Sequence, residues 1–333
     1  MSDEILMMQA EIEKELEACV VLTNGLTYSE QVDIFRYQMG WEKGRAPNAG
    51  KRVRPLLLLL TINALGGDWR KALPGAAALE LIHNYSLIHD DIEDHSELRR
   101  GKETIWVKWG QAQAINSGDA MLNLALLTPW KLETDYPITI VSEAVRCLQI
   151  WSLELTKGQY LDISFEKRED VSIDEYFDMV EGKTCSLLKA AFEMGGILGN
   201  VTQQNRELLV NCGGLLGRAY QVQDDWLGIW GNANETGKSN QIDLRERKKS
   251  YPILLGLEKK GKFASAWKRE EMNEETIAYL ANLLVEEGIK ANCESEYNQL
   301  FTKTITALGE LEGEKAGLAA LTDFVRSLLG RKF

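Results

Sequence analysis

The sequence predicts an all-α fold, a bundle in which central helices are wrapped by others. Three observations carry this. Strand signals are nearly absent, with few alternating runs of β-branched residues and no Asn-Gly or Asp-Gly turn between two such runs. Apolar residues instead recur with a helical period along most of the chain. Proline is scarce, 6 in all, and none lies between Pro137 and Pro252, which leaves room for long helices.

In chain order, the pattern predicts an amphipathic helix over residues 3–22, broken at Thr23-Asn-Gly-Leu. A second helix runs from Ser29 to Lys43, and a loop from Gly44 to Lys51. Pro55 stands near the start of the next helix, Leu56 to Leu65, which Gly66-Gly67 ends. Leu73 to Asp91 is long and apolar, and Gln111 to Leu127 is helical with small and apolar faces. Ile138 to Trp151 leads into Leu153 to Phe165. Ser172 is placed to cap a helix from Ile173 to Leu198. Arg206 to Ile229 is again long and apolar, with Gly213, Gly214 and Gly217 allowing close packing. Gly231 to Ser250 is polar and charged and reads as a mobile loop. Tyr251 to Leu257, Glu274 to Glu287, Lys290 to Glu312 and Leu318 to Leu329 complete the helices. Segments 76–90 and 207–222 are apolar on most sides and belong at the centre of the bundle.

At 333 residues the chain has room for one large domain or two ordinary ones. It shows no repeat, low-complexity tract or linker, so one domain over 1–333 is expected. A net charge of −12 argues against nucleic acid as a partner, because phosphate backbones need basic surface. Cys19, Cys147, Cys185, Cys212 and Cys293 are scattered without a CxxC, which suggests reduced thiols and a cytoplasmic location. The acidic start is neither a signal nor a transit peptide. The longest apolar run, Pro55 to Ile62, is too short to span a bilayer, so no transmembrane segment is expected.

The chemistry concentrates where apolar helices end. Leu81 to His89 is mostly apolar and stops at Asp90, Asp91 and Asp94, spaced D-D-x-x-D. Asp90 and Asp94 share one helix face. Such a cluster is often only solvated surface. At the inner end of an apolar helix it instead asks for a cation, and hard carboxylate oxygens suit Mg²⁺ shared with substrate phosphates. Arg99 and Arg100 follow and can pair with phosphate oxygens. His83, His89 and His95 are each six residues apart, which leaves neighbours about 120° apart on a helix, and no cysteine lies among them. Zinc is not expected.

A second long apolar helix ends in Gln221-Val-Gln-Asp224-Asp225. Two such helices can face each other across a bundle core. Cations surround both acidic sites in sequence. Lys51, Arg52 and Arg54 precede a helix start, where backbone N–H groups also favour anions. Lys183-Thr184 lies within a helix, and Lys238, Lys248 and Lys249 lie in the charged loop.

On these segments the chain resembles the trans-isoprenyl diphosphate synthases, or polyprenyl synthetases. The matching stretches are GKRVRP (50–55), LIHDDIEDHSELRRG (87–101), GKT (182–184), QVQDDWLG (221–228), TGK (236–238) and DLRERKKSYP (243–252), in family order. Two positions depart from the pattern. Gly228 stands where a third aspartate is usual, and Ala49 where a second glycine is common.

The resemblance implies the isoprenoid synthase helical bundle with a central apolar cavity, in a homodimer. It implies condensation of isopentenyl diphosphate with an allylic diphosphate. Three Mg²⁺ ions would be bound by Asp90, Asp94 and Asp224, with Asp91 and Asp225 supporting. Arg99, Lys183, Thr184, Gln221, Lys238 and Lys248 would hold the allylic diphosphate. Lys51, Arg54, His83 and Arg100 would hold the diphosphate of isopentenyl diphosphate. The loop 231–250 would be a lid. Tyr85 and Ser86, just upstream of the aspartates, would set chain length, and one aromatic with a small neighbour looks like the geranylgeranyl diphosphate arrangement. Farnesyl diphosphate or a longer chain is the alternative. A class I terpene cyclase would carry N-D-x-x-S/T-x-x-x-E at the second site, which the sequence lacks. A non-catalytic subunit would be expected to have lost first-site aspartates, and all three are present.

Overall fold

The computed structural model describes residues 3–21, 29–41, 50–231, 241–268 and 272–329. The chain divides into two compact units. One comprises Met1–Ser152, Ala190–Glu207 and Glu312–Leu321, and the other Leu153–Lys189, Leu208–Leu311 and Thr322–Phe333.

In the first unit, α1 (Asp3–Val21), α2 (Ser29–Met39), α3 (Val53–Ala64), α4 (Leu73–Glu93), α5 (Ile105–Trp109) and α6 (Gln111–Leu127) follow in order. Every residue from Leu56 to Leu60 on α3 is buried, so this helix is apolar all round and central. Each leucine removed from water contributes about 2 kcal/mol, an upper figure. The α4 helix begins with Pro74 in its first turn, where the missing N–H has no partner to lose. It packs on α1, α3 and α6. Its residues Gly75–Ile82 are buried, whereas Glu93 and Asp94 are exposed.

α7 (Ile138–Glu166) is one helix of 29 residues, continuous through the join expected near Ser152. α8 (Ile173–Val180) opens with a capping box. The Ser172 hydroxyl accepts from Glu175 N, and the Glu175 carboxylate accepts from Ser172 N. α9 (Ser186–Leu198) does not continue α8 directly, because Glu181–Cys185 forms a π turn. α10 (Gln203–Trp230), α11 (Ile242–Arg245), α12 (Tyr251–Glu258), α13 (Lys262–Trp267), α14 (Glu274–Glu286), α15 (Ile289–Gly309) and α16 (Lys315–Leu329) follow.

The structure bears out the all-α prediction and corrects further details. Leu98–Arg99 and Lys102–Glu103 form a minimal antiparallel hairpin, β1 and β2. Residues 241–250, expected to be mobile, are folded around α11, with Asp243 and Leu244 buried. Helices at 105–109 and 262–267 lie where none was predicted. Among the described residues, no helix is long and apolar enough to cross a membrane.

Candidate active site

The first acidic centre lies where α4 runs out. Asp94 caps its C-terminus, donating its backbone N–H to the Asp90 carbonyl. The β1–β2 hairpin then turns the chain back. Arg100 and Gly101 both take positive φ, 53° and 76°, as a two-residue type I′ turn requires. Arg-Gly is a weak form of this signal, so the hairpin was not predicted. Its consequence is specific. Arg99 donates from Nε to Asp91 Oδ1 at 2.7 Å and from Nη2 to Asp90 Oδ2 at 3.2 Å. Asp91 is buried, and that burial pushes its carboxyl up to about 6, although Arg99 pulls the other way.

Arg52, unassigned from the sequence, organises the basic segment. It adopts a left-handed backbone and is buried, with its guanidinium donating to Glu13 at 2.6 Å and Glu80 at 2.7 Å. Gly50, at φ +78°, lies against Arg100, and a Cβ there would sit 3.1 Å from Arg100 Nη1. The positive φ favours glycine here, and a larger residue would also have to push the Arg100 guanidinium aside by a few tenths of an ångström. Lys51 is exposed and Arg54 partly so. His83 keeps some exposed surface. Its pKa is nevertheless held well below the ordinary histidine value, by desolvation first and then by Arg54, Arg100, Arg99 and Arg52. Arg54, Arg100 and His83 are therefore electrostatic neighbours. A cleft of about 50 Å³ is lined by Tyr37, Asn84, Asp91, Arg99, Arg100 and Lys102 among others.

Tyr85 is buried, hydrogen-bonded to Ser152 and edge-on to His89 with ring centroids 5.8 Å apart. The Ser86 hydroxyl donates to the His83 carbonyl at 2.8 Å.

The second centre lies near the end of α10. Thr184 Oγ1 donates to Gln221 Oε1 at 2.6 Å, and Gln221 Nε2 donates to Asp225 Oδ1 at 2.8 Å. Asp225 Oδ2 accepts from Tyr176 at 2.7 Å and from the Tyr251 backbone N–H at 2.8 Å. Its carboxyl pKa is raised by burial first and then by Asp243. Lys183 is ion-paired with Asp162. Lys248 is exposed by area yet titrates among carboxylates. Desolvation lowers its pKa, but Asp243, Asp225, Asp162 and Asp224 together raise it.

The π turn sets Lys183 and Thr184. Gly158 on α7 and Gly182 touch backbone to backbone, and a Cβ on Gly158 would lie 2.0 Å from Lys183 N. Glu181 is held from the other side by Lys189 and Arg218. Sequence reasoning missed Asp162, Asp243, Tyr176 and Glu80. Gly158, an isolated glycine inside a helical run, was the one signal pointing toward Asp162. Lys238 lies outside the described residues, as do the other residues of the expected lid from 232 to 240.

Each centre thus pairs aspartates with cations at a helix end. Among the described residues, no three His, Cys, Asp or Glu side chains converge on a metal nest. One or two carboxylates with room for water and phosphate oxygens is the donor set Mg²⁺ accepts, so the residues fit that ion.

The sequence profile of the polyprenyl synthetase family matches residues 45–284. The (2E,6E)-farnesyl diphosphate synthase of Mycobacterium tuberculosis is 37% identical over 311 residues, covering 90% of this chain and 86% of its own. The geranylgeranyl diphosphate synthase of Methanosarcina mazei is 38% identical over 237 residues, covering 70% and 72%. The crystal structure of polyprenyl synthetase from Streptomyces coelicolor superposes with a TM-score of 0.87 at 32% identity, over 97% of this chain and 98% of that one. The chain belongs to the polyprenyl synthetase family and is a trans-prenyltransferase.

Proposed function

We propose that this protein is a Mg²⁺-dependent synthase joining isopentenyl diphosphate head-to-tail to an allylic diphosphate, with all-trans geranylgeranyl diphosphate as product. The observation that carries it is the repeated construction: two apolar helices, each carrying aspartates near its C-terminal end with its own cations. Relatives named for farnesyl and for geranylgeranyl products are similar in identity, 37% over 90% of this chain and 38% over 70%, so short chains are favoured. Buried Tyr85, one turn above the aspartates, supports the choice of geranylgeranyl.

Diphosphate leaves only if its charge is neutralised. Bound Mg²⁺, in this proposal three ions held by Asp90, Asp94 and Asp224 with Asp91 and Asp225 supporting, supplies that neutralisation. Lys183, Thr184, Gln221, Lys238, Lys248 and Arg99 hold the allylic diphosphate and favour the charge it gains on departure. Arg99 and Lys183 now face Asp91 and Asp162, so each shifts toward phosphate when substrate arrives. Lys51, Arg54, Arg100 and His83 hold the second diphosphate. A neutral His83 can donate one hydrogen bond there without adding charge. The allylic C–O bond breaks with its electrons on oxygen, and the alkene attacks the resulting cation. The proton lost from the new chain goes to the departed diphosphate. Apolar helix walls exclude the water that would quench the cation.

The proposal treats 1–333 as one catalytic domain, working as a homodimer in the cytoplasm. Exposed Ile115, Leu127, Trp130 and Ile138 favour a partner surface, and five unpaired cysteines favour a reducing compartment. The test is product analysis with labelled isopentenyl diphosphate and each short allylic diphosphate, with and without Mg²⁺. Accumulation of the C20 product only with Mg²⁺ is expected. No condensation with any primer overturns the enzyme reading, and arrest at C15 overturns the chain length.

A further inference from the structure

Arg99 and Arg100 are delivered by a hairpin with only two residues in each strand. A two-stranded ribbon this short is marginal on its own in water. One of its tethers runs from Arg99 to Asp90 and Asp91, and that pairing is the one substrate is proposed to loosen. The hairpin therefore needs a support that stays in place when phosphate arrives.

Such a support comes from α2. Tyr37 Oη donates to the Glu103 carbonyl at 2.8 Å. The register explains why that carbonyl is available. Thr104 N donates to the Glu97 carbonyl, so the neighbouring pair, Leu98 and Glu103, is a non-hydrogen-bonded pair whose backbone groups point outward. Tyr37 thus satisfies an acceptor on the free edge of β2. Its ring is gripped by the chain around it. Lys108 Nζ on α5 stands 4.0 Å from the ring centroid and Lys102 Nζ 5.7 Å, and Trp109 meets the ring edge-on with centroids 4.9 Å apart. The Ser96 carbonyl accepts from Thr104 Oγ1 at 2.8 Å and from Trp106 Nε1 at 2.9 Å, which joins α5 to the hairpin as one piece. One side chain of α2 therefore holds both. Tyr37 lies upstream of every stretch on which the family resemblance rests, so no motif assigns it.

We propose that Tyr37 is a positioning residue: from α2 it latches the β1–β2 hairpin and so holds Arg100 where isopentenyl diphosphate is to bind. Arg99 has the aspartates as a second anchor, so Arg100, at the turn, depends more on the latch. This rests on the proposed diphosphate chemistry.

The test compares the unaltered protein with Y37F and Y37L. Steady-state condensation gives kcat and a KM for each substrate. Amide hydrogen exchange, read by mass spectrometry without substrate, follows peptides covering residues 97–104. Phenylalanine removes the hydroxyl and keeps the ring against Lys108 and Trp109. Y37F should keep its melting temperature, raise the KM for isopentenyl diphosphate about three- to tenfold, and leave kcat and the allylic KM within about twofold. Its hairpin amides should exchange faster. Y37L, which loses the ring contacts as well, should go further in both. The latch is overturned if hairpin exchange in Y37F matches the unaltered protein. The positioning role is overturned if folded Y37F keeps its KM for isopentenyl diphosphate, or if both KM values, kcat and melting temperature worsen together, as general loosening would make them. If Y37L fails to fold, Y37F alone decides. Failure of the unaltered protein to condense substrates overturns the proposed function instead, and the exchange measurement still decides the latch.

Discussion

Asp91 shows how a single side chain is set by forces the sequence does not display. Its hydrogen bond from Arg99 should lower its pKa, but desolvation wins and the carboxyl rises from 3.8 to about 6. A raised carboxyl binds its proton more tightly in the folded chain than in the unfolded one. Its stabilising contribution is therefore full below about pH 4 and is lost as pH rises through about 6. Melting temperature without divalent cations should fall across that interval, and D91N should flatten the fall. An unchanged slope in D91N would place the linkage elsewhere. Tyr85 gives a prediction on product. Its ring is buried and tethered to Ser152, so Tyr85→Ala opens space directly behind the acidic centre. Losing a buried aromatic ring costs about 3 kcal/mol, and the assay belongs well below the melting point. Chains at least one isoprene unit longer are expected by mass spectrometry, and unchanged chain length would remove Tyr85 from the role. At this scale the aspartates and arginines were legible because charge after an apolar run is conspicuous. Asp162 and Asp243 were not, because Lys183 and Asp225, on which they act, lie far along the chain and only folding joins them.

At the scale of elements, the long helices were legible from their period, and α4 and α10 were recognised as central from their apolar faces, whereas the all-round burial of α3 shows only in the fold. The π turn at Glu181–Cys185 was not, because five residues of wider winding leave no distinct hydrophobic pattern. It matters because wide turns inside helices often serve sites. Here it aims Lys183 at Asp162 and Thr184 at Gln221. The contact that admits it is glycine on glycine, with no side chain able to yield. Gly158→Ala places a methyl 2.0 Å from Lys183 N and 2.4 Å from the Gly182 carbonyl carbon. Backbone must move, at about 1–3 kcal/mol or more. G158A should melt lower and lose turnover more than stability alone explains, because Lys183 and Thr184 move with the turn. Normal kcat in a folded G158A would show that the close contact is incidental to the site.

At the scale of the whole molecule, the proposed reaction asks a chain of net charge −12 to bind two diphosphates. Long-range attraction cannot help it, so local cations and metal carry the affinity. Several of the carboxylates already have a cation beside them. Arg99 answers Asp90 and Asp91, and Lys248 lies among Asp224, Asp225 and Asp243. Buried charge compensated within the protein needs no ion to fold. Chelation should therefore separate folding from turnover. In EDTA the far-ultraviolet circular dichroism and melting temperature should stay unchanged while condensation falls to background. Mg²⁺ alone should raise the melting temperature little, because Arg99 and Lys248 compete for the same oxygens. Mg²⁺ with pyrophosphate should raise it clearly, because phosphate then takes the cations that the aspartates release. Loss of helical signal in EDTA would mean that metal holds the fold. A full shift with Mg²⁺ alone would mean that the aspartates form complete metal sites without substrate.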